Sequence, residues 1–61
     1  MARMVQYRLY FIDRFSGHIE TSREFHADDD TAAVQFASEL RTGQPMELWS
    51  RDRKVKRWEA G

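Results

Sequence analysis

Residues 5–12, Val-Gln-Tyr-Arg-Leu-Tyr-Phe-Ile, alternate along the chain and are rich in β-formers, the period of a strand with one buried face. Val5, Tyr7, Leu9 and Phe11 point one way, and Gln6, Arg8, Tyr10 and Ile12 the other. The first set is the more apolar and is the expected core face. Asp13-Arg14-Phe15-Ser16-Gly17 interrupts the pattern, with Gly17 the natural site of a positive φ in a three-residue loop closed by a bulge. A second strand is expected from about His18 to His26. A Phe15–Gly17 loop sets Arg14 opposite His18, Arg8 opposite Glu24 and Tyr10 opposite Ser22. Ile19, Thr21, Arg23 and Phe25 then share a face with Phe11, Leu9 and Tyr7, and a one-residue slip would invert that whole set.

Asp28-Asp29-Asp30-Thr31 predicts a helix start, because aspartates cap free N–H groups and suit the positive end of the helix dipole. Ala33, Phe36, Ala37 and Leu40 recur at helical spacing on one stripe. Arg41 falls in the expected last turn, Gly43 suits the position after the C-cap, and Pro45 bars continuation. A third strand is expected from about Met46 to Arg51 and a fourth from Lys54 to Trp58, joined by an Asp52-Arg53 turn. That register puts Met46, Leu48, Ser50, Val55 and Arg57 on one face. It puts Glu47, Trp49, Arg51, Lys54, Lys56 and Trp58 on the other.

The elements therefore run ββαββ, an α+β class with one helix on one face of a four-stranded antiparallel sheet. Placing the third strand beside the first gives the order 2-1-3-4, with every neighbour antiparallel. Placing it beside the second would create a parallel pair, and parallel pairs occur mostly in sheets covered on both faces. One helix cannot cover both. Phe36, Leu40, Leu9, Phe11, Phe25 and Leu48 are the expected core cluster.

Sixty-one residues make a single domain, 1–61, that buries only about 60% of its unfolded surface, so stability must come from tight packing or self-association. With no cysteine, disulfides and thiolate metal sites are excluded. No apolar run approaches the roughly 20 residues that span a bilayer, and Met1-Ala2-Arg3-Met4-Val5-Gln6 is not expected to be a signal peptide, because no apolar run follows its charge. A cytoplasmic location away from membranes is the expectation. Net charge is zero but unevenly spread: residues 1–40 hold four arginines against seven acids, and residues 41–61 six bases against three acids. Such asymmetry means either an electrostatic partner or complementation within the fold.

Catalytic and metal chemistry finds little support. His18 and His26 lie eight residues apart on one strand, about 27 Å, too far for one ion. The aspartate triplet lacks the spacing and distal glutamate of a calcium loop. There is no recognisable nucleophile signature and no glycine-rich phosphate loop. Glu20 and Glu24 sit on a solvent-facing strand and suit solvation better than acid–base work. The expectation is a protein that is not an enzyme and has no cofactor and no metal.

The sheet face away from the helix is where function is expected. It presents Glu20, Ser22 and Glu24, then Arg8, Tyr10 and Ile12, then Glu47, Trp49 and Arg51, then Lys54, Lys56 and Trp58. The candidate interaction residues are Arg8, Tyr10, Trp49, Arg51, Lys56 and Trp58. Arginine and lysine stems could simply cover the aromatics. Alternatively the face is a protein contact, to a second copy or an unknown partner, since Trp, Tyr and Arg dominate interface hot spots. A third reading is weak single-stranded nucleic-acid binding by stacking, opposed by zero net charge and three glutamates.

Tyr7-Arg8-Leu9-Tyr10-Phe11-Ile12-Asp13, Glu24-Phe25-His26-Ala27-Asp28-Asp29-Asp30 (running on into Thr31-Ala32-Ala33) and Glu47-Leu48-Trp49-Ser50-Arg51-Asp52-Arg53 supply a Y-R-L-Y-F, D-D-x-A-A, E-L-W pattern. In this pattern the chain resembles, over nearly its whole length, a group of short alphaproteobacterial proteins with no assigned activity. The resemblance implies a shared core, cap and turn framework and carries no site residues. A non-enzymatic interaction module is the functional expectation, with nucleic-acid binding as the alternative.

Overall fold

A computed structural model describes residues 4–61. Met1-Ala2-Arg3, part of the segment on which the expectation of no leader rests, lie outside the described residues. The elements are β1 (Val5–Ile12), β2 (Ile19–Ala27), α1 (Asp30–Ser38), β3 (Met46–Ser50) and β4 (Arg53–Trp58). They form one antiparallel sheet in the order β2-β1-β3-β4, with the helix on one face, as the alternation and the preference for all-antiparallel neighbours predict. No helix among the described residues is long and apolar enough to cross a membrane.

β1 is the central organiser. Its odd-numbered side chains face the helix, and Tyr7 and Leu9 are buried there with Met46 and Leu48 of β3. The β1–β2 pairing matches Arg8 with Glu24 and Tyr10 with Ser22, as parity predicts, from Val5–Ala27 to Phe11–Thr21. It departs at the tip, where Ile12 pairs with Ile19 and Glu20 becomes an extra bulged residue. The Asp13 N–H donates to the His18 carbonyl (2.8 Å), so the loop has four residues, Arg14–Gly17, and Arg14 does not face His18. The cause is local. Asp13 Oδ1 accepts the Phe15 N–H (2.8 Å) and the Ser16 N–H (3.3 Å), and Gly17 takes φ +78°. These bonds hold the Asp13 carboxyl below its usual range. Ile19 is consequently 59% exposed rather than packed beside Phe11.

Asp29 is the N-cap of α1, and its Oδ1 accepts the Ala32 N–H at 2.9 Å, a bond worth about 1 kcal/mol. The helix ends at Ser38, earlier than the apolar stripe predicts. The last bonds tighten to three-residue spacing, with the Leu40 N–H donating to Ala37 O (3.0 Å) and the Arg41 N–H to Ser38 O (3.4 Å). Arg41 reaches the Glu59 carbonyl (3.2 Å) instead of finishing a helical turn. Gly43 has φ +92° in the loop beyond, where its carbonyl accepts the Gly61 N–H (3.1 Å).

The helix packs through alanines. Ala33 and Ala37 are fully buried, letting the backbone sit close over the sheet, while Phe36 flanks the contact and remains 40% exposed. The expected cluster of Phe36, Leu40, Leu9, Phe11, Phe25 and Leu48 therefore needs correction. Leu9 and Leu48 are central, Phe11, Phe25 and Leu40 pack around them, and Phe36 touches the rest through Phe25.

The larger correction concerns β4. Its turn is Arg51-Asp52, not Asp52-Arg53, so Ser50 pairs with Arg53, Leu48 with Lys56 and Met46 with Trp58. A bulge at Val55 then shifts parity within the strand. Trp58, expected on the open face, is 7% exposed in the helix-side core, and Lys56 lies over its ring at 5.3 Å. The physical reason is burial area. An indole buries far more apolar surface than an arginine stem, and the bulge lets Val55 and Trp58 both approach the core although they are three positions apart.

Candidate functional site

The open face has two complete rows across the sheet. Glu24, Arg8, Trp49 and Lys54 form one, and Ser22, Tyr10, Glu47 and Arg57 the other. Trp49 and Tyr10 are diagonal neighbours on adjacent strands, close enough for large rings to interact. Both are half-buried. The Trp49 indole N–H donates to Glu47 Oε1 (3.0 Å), which leaves the ring to offer only apolar surface.

Ion pairs surround these rings. Arg8 bonds Glu24, and Gln6 Nε2 donates to the same carboxylate oxygen, Oε2 (3.3 Å). Glu47 pairs with Arg57 and lies 4.0 Å from the Lys54 ammonium. Arg57 also bonds Glu59 (2.9 Å). The bond from Trp49 and the cations beside it hold the Glu47 carboxyl below its ordinary range, and the Glu24 contact raises the affinity of Arg8 for its proton. The face is thus a neutralised lattice with an aromatic centre. A shallow cleft of about 230 Å³ opens on it, lined by Gln6, Tyr7, Arg8, Tyr10, Glu24 and Arg51.

Of the six expected residues, four meet here: Arg8, Tyr10, Trp49 and the exposed turn residue Arg51. Lys56 and Trp58 do not, because the bulge turns them to the helix side. Arg57 takes their place, and sequence reasoning missed it by assigning Arg57 the core parity. The signal was present: if the most apolar residue of the strand sets parity, Trp58 goes inward and Arg57 outward. Among the described residues no three His, Asp or Glu side chains gather around one point.

A second polar constellation lies on the helix side. The Tyr7 hydroxyl donates to Asp30 Oδ1 (2.8 Å), and Arg53 grips the same carboxylate through two bonds (3.0 and 3.2 Å). Burial, the bond to Asp30 and the adjacent negative charge push the Tyr7 phenol up to about 12, whereas Arg53 and Tyr7 draw the Asp30 carboxyl below its usual range. This network ties the start of α1 to β1 and β4. It is a structural clamp: the phenol and both guanidinium NH2 groups converge on one carboxylate, and no buried side-chain polar atom among the described residues lacks a partner. No family model matches the chain, and neither a curated protein nor a solved structure is significantly similar to it.

Proposed function

We propose that the chain is a small, cytoplasmic, non-enzymatic protein-interaction module that binds a protein partner through its open sheet face. The observation that carries this reading is the diagonal placement of Tyr10 and Trp49 on the uncovered side of the two central strands, inside a ring of ion pairs. An aromatic centre with a polar, charged rim is the anatomy of a protein contact. Nucleic-acid binding is the weaker reading. Stacking platforms need free cations beside their rings, but Arg8 and Arg57 are held by glutamates, and the inward turn of Trp58 and Lys56 removes one ring and one base.

A photo-reactive phenylalanine analogue at position 49, with Gln35 on the helix as the control site, tests the proposal in cells that make the protein. The expected result is a discrete protein adduct from position 49 only, competed by unlabelled wild-type chain and not by Trp49→Ala. Equal competition by both chains would overturn the reading. So would salt-sensitive quenching of tryptophan fluorescence by a single-stranded oligonucleotide, which is the nucleic-acid signature.

A further inference from the structure

The two sheet edges are unequally protected. β4 has a bulge, two lysines and only six residues, all devices that discourage strand addition. β2 runs nine residues, is exposed over most of its length, and contains neither lysine nor proline. Its one irregularity, the bulge at Glu20, lies at the hairpin end.

The direction of the free backbone groups on β2 follows from one bond. The Ile12 N–H donates to the Pro45 carbonyl (2.9 Å), away from β2. Backbone groups alternate sides along an antiparallel strand. Phe11, Leu9, Tyr7 and Val5 therefore bond to Thr21, Arg23, Phe25 and Ala27. The N–H and C=O groups of Ser22, Glu24 and His26 point out of the sheet, unpaired within it.

Above this edge an aromatic file ends in solvent. Tyr7 stacks on Phe25 with centroids 5.8 Å apart, and Phe25 meets Phe36 at a tilt, 4.6 Å between centroids. β2 is the strand that α1 approaches most. The exposed part of Phe36 is thus apolar surface beside an open edge.

We propose that β2 pairs antiparallel with β2 of a second copy, forming a continuous eight-stranded sheet about a two-fold axis beside Phe25. The charges select that register. An axis at Glu24 or Arg23 sets each against its own copy. An axis at His26 sets Glu24 against the partner's Asp28, and one at Ser22 sets it against the partner's Glu20. Only the axis at Phe25 places Glu24 opposite the partner's His26, twice by symmetry. Arg8 and Gln6 both use Oε2 of Glu24, and among the described residues no hydrogen bond reaches its Oε1. The same axis makes Phe25 and the partner's Phe25 a non-hydrogen-bonded pair with Cα atoms about 4.5 Å apart, the closer of the two antiparallel spacings. Both helices then lie on one side, and the two Phe36 rings approach across the seam. This surface is separate from the open face, which the dimer extends without covering.

Sedimentation velocity across the micromolar range tests the proposal. The wild-type chain sediments as a dimer. His26→Pro removes an outward N–H and leaves the bonds to β1 in place, since proline is tolerated on an edge; it sediments as a monomer with an unchanged far-UV circular dichroism spectrum. Phe36→Lys gives the same loss by a different route, should the proline variant fail to fold. Because the chain has no cysteine, Phe25→Cys reads the register directly, forming a covalent dimer on mild oxidation where Arg23→Cys does not. Trp49→Ala remains dimeric. A monomeric wild type, a dimeric Phe36→Lys, or a Trp49→Ala variant that alone loses the dimer would each overturn the proposal.

Discussion

The β1–β2 hairpin turns through four residues with a glycine at its positive-φ position, whereas β3–β4 turns through Arg51-Asp52 with an arginine there, at φ +57°. The first hairpin announces itself: an aspartate accepts two loop N–H groups and a glycine closes the turn. The second has no such punctuation and is held from outside, by Trp58 entering the core and Arg53 clamping Asp30. Local turn chemistry sets register in one case, and tertiary burial overrides it in the other. Register inferred from parity is trustworthy only where no bulge intervenes, and each hairpin contains one bulge.

The largest test of this contrast is a pair of tryptophan substitutions. Trp58→Ala should cost about 3–5 kcal/mol, most of the stability available to a domain this small. Trp49→Ala, on the open face, should cost about 1 kcal/mol or less, because its ring is only half-buried. Urea denaturation of both variants checks this. The reverse ranking would restore the register with an Asp52-Arg53 turn and return Trp58 to the open face.

Much of the fold was legible because several local signals agreed. The alternation of Val5–Ile12 sets the core face, Asp29 caps the helix as the aspartate run suggests, and a single helix, able to cover only one face, leads to the all-antiparallel order 2-1-3-4. Four candidate-face residues, Arg8, Tyr10, Trp49 and Arg51, follow from the same alternation. What was not legible depended on contacts distant in sequence. No spacing rule links Tyr7 to Asp30 and Arg53, and Phe36 fits the helical stripe yet sits at its margin because the alanines bring the helix too close to the sheet for a large ring beneath it.

The Tyr7 clamp gives an intermediate effect with a definite sign. The phenol is neutral in the folded protein up to about pH 12 and ionises near pH 10 when unfolded. Its contribution is thus fully present below pH 10 and is lost as pH rises through 12, since the unfolded chain binds fewer protons in that window. The loss should be about 2–3 kcal/mol. Other groups titrate there as well, so the informative quantity is the difference between wild type and Tyr7→Phe in denaturant stability. That difference should shrink steadily with pH above 10. A pH-independent difference would mean that the hydroxyl is not buried against Asp30, and would unfasten the second hairpin from the helix start.

The smallest effects come from exchanging the turn residues themselves, and they should differ in sign. Gly17→Ala meets no atom within 4 Å of the new Cβ, so its cost is backbone strain alone at φ +78°, about 1 kcal/mol. Arg51→Gly removes the corresponding strain at φ +57° and makes no new clash. The added freedom of glycine in the unfolded chain offsets part of that gain, leaving a net stabilisation of about 0.5 kcal/mol. Shifts in the urea midpoint at constant m-value measure both. The two turns differ in what holds them, so the pair discriminates mechanisms. If local chemistry alone set the second register, Arg51 would avoid a left-handed conformation, and Arg51→Gly would destabilise by adding flexibility to an unstrained turn. A stabilising Arg51→Gly beside a destabilising Gly17→Ala means that the core, through Trp58, forces arginine into a conformation that the first hairpin reserves for glycine.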